Sequence, residues 1–328
     1  MPAVRSLPLV FATALVLSAA MSPPAIAAPS TGQITWVTDV DSVTASDTDV
    51  TSVGADKDAA YAGTSSGQVV AVEPAGGTPI WLTALGGPTL EITGLATARN
   101  RLVAGSTDGH LATLDAATGV ILWITDVAGV LGAPSTVTAT AADKEHAYAG
   151  TSDGHLVALD ADSGEVRWVT TPGALGVTAL ATGKDRLIAG TSDGHLFTLD
   201  ASTGAILWIT DVAGVLGTPA AVTATIADNQ HAYAGTSDGH LVALDADTGQ
   251  VEWVTTIPGG PTLAITGLAA DKDLVAGTSA GTVISLDPNS AAVAWVTDVG
   301  GGSAVAGVSA VKGRVYAGVE QGLLAALD

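Results

Sequence analysis

The chain contains no cysteine. No disulfide can staple it, no thiol can serve as nucleophile or metal ligand, and an N-terminal lipid anchor on cysteine is excluded. Its stability has to come from packing and backbone pairing. Basic residues are scarce: 11 Lys+Arg stand against 32 Asp+Glu, a net charge of −21. Nucleic acid and anionic lipid surfaces repel such a chain, so neither is expected as a partner. Cationic proteins or divalent ions would be attracted, and the same charge also serves solubility. Aromatic residues make up 4% of the chain, with only two Phe and two Met. The apolar run Leu7–Ala20 is too short for a good transmembrane span. Arg5 precedes it and Ala25-Ile26-Ala27 follows it, the layout of a cleaved secretory signal. Residues 1–27 are read as a signal peptide. The mature protein would start at Ala28, lose Arg5, and be secreted, extracellular or attached to the cell surface, with no membrane insertion after cleavage.

What the chain does have is a repeat. Its seven tryptophans are Trp36, Trp81, Trp123, Trp168, Trp208, Trp253 and Trp295, at intervals of 45, 42, 45, 40, 45 and 42 residues. A period near 42 is the length of one four-stranded propeller blade. Residues 147–168 recur 85 residues later at 232–253 with three differences, which indicates duplication of a two-blade unit. Within the unit, Ser152-Asp153-Gly154 and Asp162-Ser163-Gly164 are hairpin turns, with glycine supplying the positive φ. Short strands flank them, and a further short strand such as Val137–Thr140 lies upstream. The expected fold is all-β. Residues 28–328 form one seven-bladed propeller of four-stranded antiparallel blades, expected to be a monomer.

The chain ends at Leu327-Asp328, halfway through a repeat, while Ser30-Thr31-Gly32 to Trp36 supplies the missing half. The N-terminal strand is thus expected to complete the last blade and leave the ring without an open seam. Two repeats deviate before the tryptophan. Glu73-Pro74-Ala75-Gly76-Gly77 replaces the usual Asp and Thr-Gly, and Ser290-Ala291 replaces Thr-Gly. Distorted turns are expected at both.

The pattern D-x-x-T-G-x-x-x-W, as in Asp115–Trp123 and Asp245–Trp253, resembles the tryptophan-docking repeat of the pyrroloquinoline-quinone-type propellers. That family includes quinoprotein dehydrogenases and a bacterial outer-membrane assembly lipoprotein. The resemblance covers essentially the whole mature chain. It implies that the seven tryptophans are structural docking residues, each indole packing on the neighbouring blade. It does not carry over a cofactor site. The dehydrogenases are typically longer, with eight blades and often an adjacent-cysteine disulfide over the quinone, and the lipoprotein's lipidated cysteine is missing here.

Repeated polar residues supply the candidate sites. His110, His155, His195 and His240 each follow Asp-Gly. Ring positions in neighbouring blades are too far apart to share one ion at about 2.1 Å, so these, and His146 and His231, are read as residues beside turns. Asp39, Asp126, Asp211 and Asp298 open blade-to-blade loops. They could bind calcium or a basic partner, or start turns through their own side chains. Thr51, Thr93, Thr138, Thr178, Thr223 and Thr266 recur in the innermost strand. They could line the central channel, or serve close packing near the axis. The loops 127–132 and 212–217 are apolar where loops are usually polar. Val130, Leu131, Val215 and Leu216, flanked by Asp126 and Asp211, form the candidate partner surface, unless these loops tuck into the ring. No catalytic, cofactor-binding or metal-binding residue is assigned, and no cofactor is expected.

The expected function is a secreted, non-enzymatic binding or scaffold propeller for a protein or small ligand, since nearly every polar group belongs to a repeated set. The alternative is an enzyme on a propeller scaffold, either a quinone-dependent dehydrogenase or a biosynthetic enzyme using the channel as its cavity.

Overall fold

The computed structural model describes residues 31–173, 175–260 and 262–328. The expected signal peptide, its cleavage site and the start of the mature chain at Ala28 lie outside the described residues. From Gly32 onward the chain forms one compact unit.

Seven four-stranded antiparallel sheets make up the unit. Blades 1 to 6 span residues 50–84, 92–126, 137–170, 177–211, 222–256 and 265–298. Blade 7 combines residues 305–327 with the N-terminal strand Ile34–Asp39, which pairs with Leu323–Leu327. Each innermost strand contacts the next, and that of blade 7 contacts that of blade 1, so the ring closes as the sequence predicts. Blade 3 shows the rule for all of them. Its strands are Val137–Ala142, His146–Thr151, Leu156–Asp160 and Val166–Thr170, in order from the axis outward. The second and third strands are almost wholly buried, because a neighbouring blade covers each face. The outermost strand alternates half-buried with exposed residues.

Sequence supplies the fit between blades. Each second strand carries a glycine, such as Gly105, Gly150 or Gly235, against which the first residue of the next blade's innermost strand packs: Val137, Val177 and Ile265. A Cβ at these glycines would overlap that Val or Ile. Gly318 meets Val50 in the same way across the ring seam. In blades 1, 3, 5 and 7 the second strand also buries a tyrosine: Tyr61, Tyr148, Tyr233 and Tyr316. Burial, together with the carboxylates beside them, pushes the phenols of Tyr61, Tyr148 and Tyr233 well above their usual pKa. They remain neutral and donate hydrogen bonds: Tyr148 to Asp143 at 2.6 Å and Tyr61 to Asp56 at 2.9 Å.

Trp36, Trp81, Trp123, Trp168 and Trp208 each bond a turn of the neighbouring blade. The indole N–H of Trp123 donates to the Ala161 carbonyl at 3.1 Å, and that of Trp168 to Ala201 at 3.0 Å. Two residues further on, Thr125 and Thr170 donate to Gly164 and Gly204 at 2.9 and 2.8 Å. The indole lies against the turn glycine so closely that a Cβ on Gly119, Gly164, Gly204 or Gly249 would sit 2.6–2.7 Å from it. Ring closure repeats the contact, with Thr297 donating to Gly32 at 2.6 Å.

The two deviant turns are not distorted. Gly77 N–H still bonds the Glu73 carbonyl at 2.9 Å, and Thr78 ties down the Glu73 carboxylate at 2.7 Å. Ala291 takes the left-handed conformation, φ +56°, and its N–H bonds the Asp287 carbonyl at 2.9 Å. The consequence appears one blade away. Among the described residues, Trp253 and Thr255 make neither of the bonds that the Trp and Thr of blades 1 to 4 make. Ala291 brings a methyl to the turn position where, at Gly119, Gly164, Gly204 and Gly249, a Cβ would overlap the docked indole.

Candidate partner-binding face

Antiparallel connection sorts the loops onto two faces of the ring. One face carries the turns between second and third strands and the links from one blade to the next. Three of those links hold a short helix: α1 (Val40–Thr44), α2 (Val127–Leu131) and α3 (Val212–Leu216). The opposite face carries the other two hairpin turns of each blade.

The apolar links expected as loops are therefore helices. The acids expected to open them cap them: Asp126 accepts from Gly129 N–H and Asp211 from Gly214 N–H, both at 2.7 Å. Gly132 and Gly217 end α2 and α3 in the left-handed conformation. Capping at both ends fixes which side chains face outward. Val127 and Val212 are buried, and Leu131 and Leu216 pack partly on the core. Val130 and Val215 project, 49% and 51% exposed. Of the four apolar candidates, the two valines are thus the free ones. The sequence reading missed Leu175, 48% exposed in the link between them. Its position among turn-forming residues hid it. Asp39 and Asp298 also cap or start turns, accepting from Ser42 N–H at 3.3 Å and Gly301 N–H at 2.8 Å.

The four Asp-Gly-His turns lie on this same face. His110, His155, His195 and His240 each place Nδ1 3.0–3.1 Å from the aspartate two residues earlier. Burial alone would raise the Asp153 and Asp238 pKa. Bonds from Ser135, Thr151 and His155 to Asp153, and from Thr236, His240 and Thr218 to Asp238, outweigh it and bring both to about 2. The histidines thus belong to local turn networks, one per blade. Among the described residues, no cluster of three or more His, Cys, Asp or Glu is arranged to hold a metal.

The innermost threonines are half-exposed beside the axis, and five of them bind the next blade. Thr51, Thr93, Thr138, Thr178 and Thr223 donate to the first carbonyl of the next innermost strand, at Ile92, Val137, Val177, Val222 and Ile265, over 2.5–2.6 Å. They clamp blade to blade. The Thr266 hydroxyl is buried at the equivalent place and, among the described residues, has no partner. The channel itself, about 230 Å³, is walled by residues further along these strands, among them Gly54, Ala96, Ala141, Ala181 and Ser309. At its far mouth a basin of about 750 Å³ is bordered by Arg99, Asp143, Lys144, His146, Lys184 and Asp228.

Charge divides by face. Of the 11 Lys and Arg, all but Arg5 fall within the described residues, and every one of these stands at the opposite face. Lys57, Arg99, Lys144, Lys184, Lys272 and Lys312 tip the innermost hairpins. Arg101, Arg167, Arg186 and Arg314 sit on adjoining strand ends. Three of these reach the neighbouring blade: Arg101 to Asp162, Arg186 to Asp247 and Arg314 to the Pro74 carbonyl. The helix face carries thirteen Asp and Glu and, among the described residues, no Lys or Arg.

No curated protein matches the chain. Among solved structures it is similar to the computationally designed Ika8 protein, at 20% identity and a TM-score of 0.66, covering 90% of this chain and 99% of that one. It is also similar to BamB from Moraxella catarrhalis, at 20% identity and a TM-score of 0.56, covering 84% of this chain and 82% of that one. Both share the propeller fold. Three overlapping stretches, residues 24–174, 136–270 and 169–328, match the family described as outer membrane protein assembly factor BamB. Together with the docked tryptophans and the closed ring, these matches show that the chain belongs to that family of pyrroloquinoline-quinone-like propellers.

Proposed function

We propose that the protein is an exported, non-enzymatic scaffold whose helix face docks a partner protein. The observation that carries this reading is the pair of capped helices α2 and α3, which hold Val130 and Val215 out of the ring. Capping presets these side chains, so a partner would meet an ordered surface and little ordering entropy would be lost on binding. An exposed aliphatic pair on rigid supports suits protein contact better than a small polar ligand. Family membership favours the same reading, since its description is that of an assembly factor. Export rests on the Ala25-Ile26-Ala27 signal.

A photo-crosslinking residue placed at Val130 or Val215 in the parent cell tests this. A discrete crosslinked protein is expected there, and none from the outer-strand position Val254. The double variant Val130→Ser, Val215→Ser should lose that partner and keep its unfolding transition. Equal crosslinking at Val254, or an undiminished complex in the double variant, would reject the face. Pyrroloquinoline quinone with calcium is expected to leave the melting temperature unchanged. A ligand at 100 times its dissociation constant would add about 2.7 kcal/mol, and such a shift would favour the dehydrogenase alternative.

A further inference from the structure

We infer that the partner of the helix face is a basic protein segment carrying apolar side chains, a reading that rests on the docking face proposed above. Net charge alone would attract any cation to any part of the surface. The segregation of charge is more specific. The opposite face mixes its acids with all ten described Lys and Arg, five of them in ion pairs with Asp. Among the described residues, the helix face leaves its carboxylates without a single Lys or Arg.

The acids also lie where the apolar tips are. Asp126 and Asp211 sit at the N-terminal ends of the helices that present Val130 and Val215. Asp153 and Asp193 stand in the turns of blades 3 and 4, between the two helices. A partner that covers Val130, Leu175 and Val215 must therefore lie within reach of these carboxylates. Complementary charge on that partner would speed encounter and fix its orientation, while like charge would be rejected. An acidic or neutral partner would leave carboxylates stripped of water and uncompensated.

The probe is a fluorescent peptide of alternating lysine and leucine, titrated against the full mature chain at low and high salt. Two variants carry equal charge changes. The first neutralises the helix face with Asp126→Asn, Asp153→Asn, Asp193→Asn and Asp211→Asn, which keep a side-chain oxygen for the caps and turns. The second neutralises the opposite face with Glu145→Gln, Glu165→Gln, Asp185→Asn and Glu252→Gln. The helix-face variant is expected to bind roughly tenfold more weakly at low salt and to lose most of its salt dependence. The opposite-face variant should change by less than about twofold. Equal losses in both variants would mean that net charge alone acts, and would overturn the inference, as would a peptide that fails to bind or whose affinity ignores salt. The cellular partner separates this inference from the scaffold reading. If the protein crosslinked at Val130 remains bound to the helix-face variant, the scaffold stands and the basic partner falls. If nothing crosslinks at Val130, the scaffold reading itself fails.

Discussion

The junction between blades 3 and 4 and the junction between blades 5 and 6 have the same architecture and different closure. At the first, Trp168 and Thr170 both bond the turn that holds Ala201 and Gly204. At the second, Trp253 and Thr255 face a turn of the same shape with Ala291 in place of glycine, and make neither bond among the described residues. The second turn also carries Pro288 and Ser290, but Pro74 and Ser163 stand at the same places in turns that do bond their tryptophan or threonine, which leaves the Ala291 methyl as the difference that matters. The turn survives because Asp287 and Ser290 still organise it, with Ser290 donating to Asp287 at 2.9 Å. The docking does not, because an indole and a Cβ cannot share the same space. The docking motif therefore has two separable parts: Asp and Thr or Ser shape the turn, and glycine admits the tryptophan.

This comparison can be broken most severely by putting the methyl where it is absent. Gly204→Ala places a Cβ 2.6 Å from the Trp168 indole at φ +70°. The left-handed alanine and the two lost bonds should together cost about 3 kcal/mol, read as a fall in the denaturant midpoint. A cost below about 1 kcal/mol would mean that the indole adapts freely. A milder test compares Trp168→Phe with Trp253→Phe. The first removes an indole bond and should cost about 1 kcal/mol more than the second, which has none to lose. The reverse repair, Ala291→Gly, should stabilise by about 1 kcal/mol, relief of the left-handed alanine outweighing the extra freedom of glycine in the unfolded chain. Thermal melts would show it as a rise of a few degrees, with Trp253 fluorescence shifting toward that of the docked indoles.

The smallest effect at neutral pH comes from the turn carboxylates of the helix face. Asp153 and Asp238 titrate at about 2, below the usual value of 3.8. Their folded pKa is lowered, so the stability they contribute is present above pH 4 and lost as the pH falls through 4 toward 2. Asp153→Asn and Asp238→Asn should flatten the stability–pH curve in that window and change little at pH 7. An unaltered curve would place acid sensitivity elsewhere.

Much of this was legible in the sequence. The 42-residue period of the tryptophans, the Asp-Gly and Thr-Gly turns and the split repeat at Leu327-Asp328 and Gly32 specify blades, register and closure through local chemistry, and the structure agrees. The site was legible only in part. Apolar links at 127–132 and 212–217 drew attention to these segments, but their helical form depends on the Asp126 and Asp211 caps working with Gly132 and Gly217 at the other ends. For the innermost threonines the sequence offered channel wall and, preferred, close packing. Which carbonyl each hydroxyl reaches in the next blade was visible only in the structure. The distorted turn expected at Ala291 was displaced one blade along, because the backbone could adopt αL while the neighbouring indole could not yield.

The sequence by itself determined the number of blades, the strand alternation and the way the ring closes. Periodicity, turn glycines and hydrophobic alternation act within a few residues of one another. The tertiary structure alone decided which apolar side chains remain exposed and how charge divides between the faces. The ten described Lys and Arg are scattered along the chain, at positions from 57 to 314. They converge on one face only because seven antiparallel blades return the same hairpins to the same side.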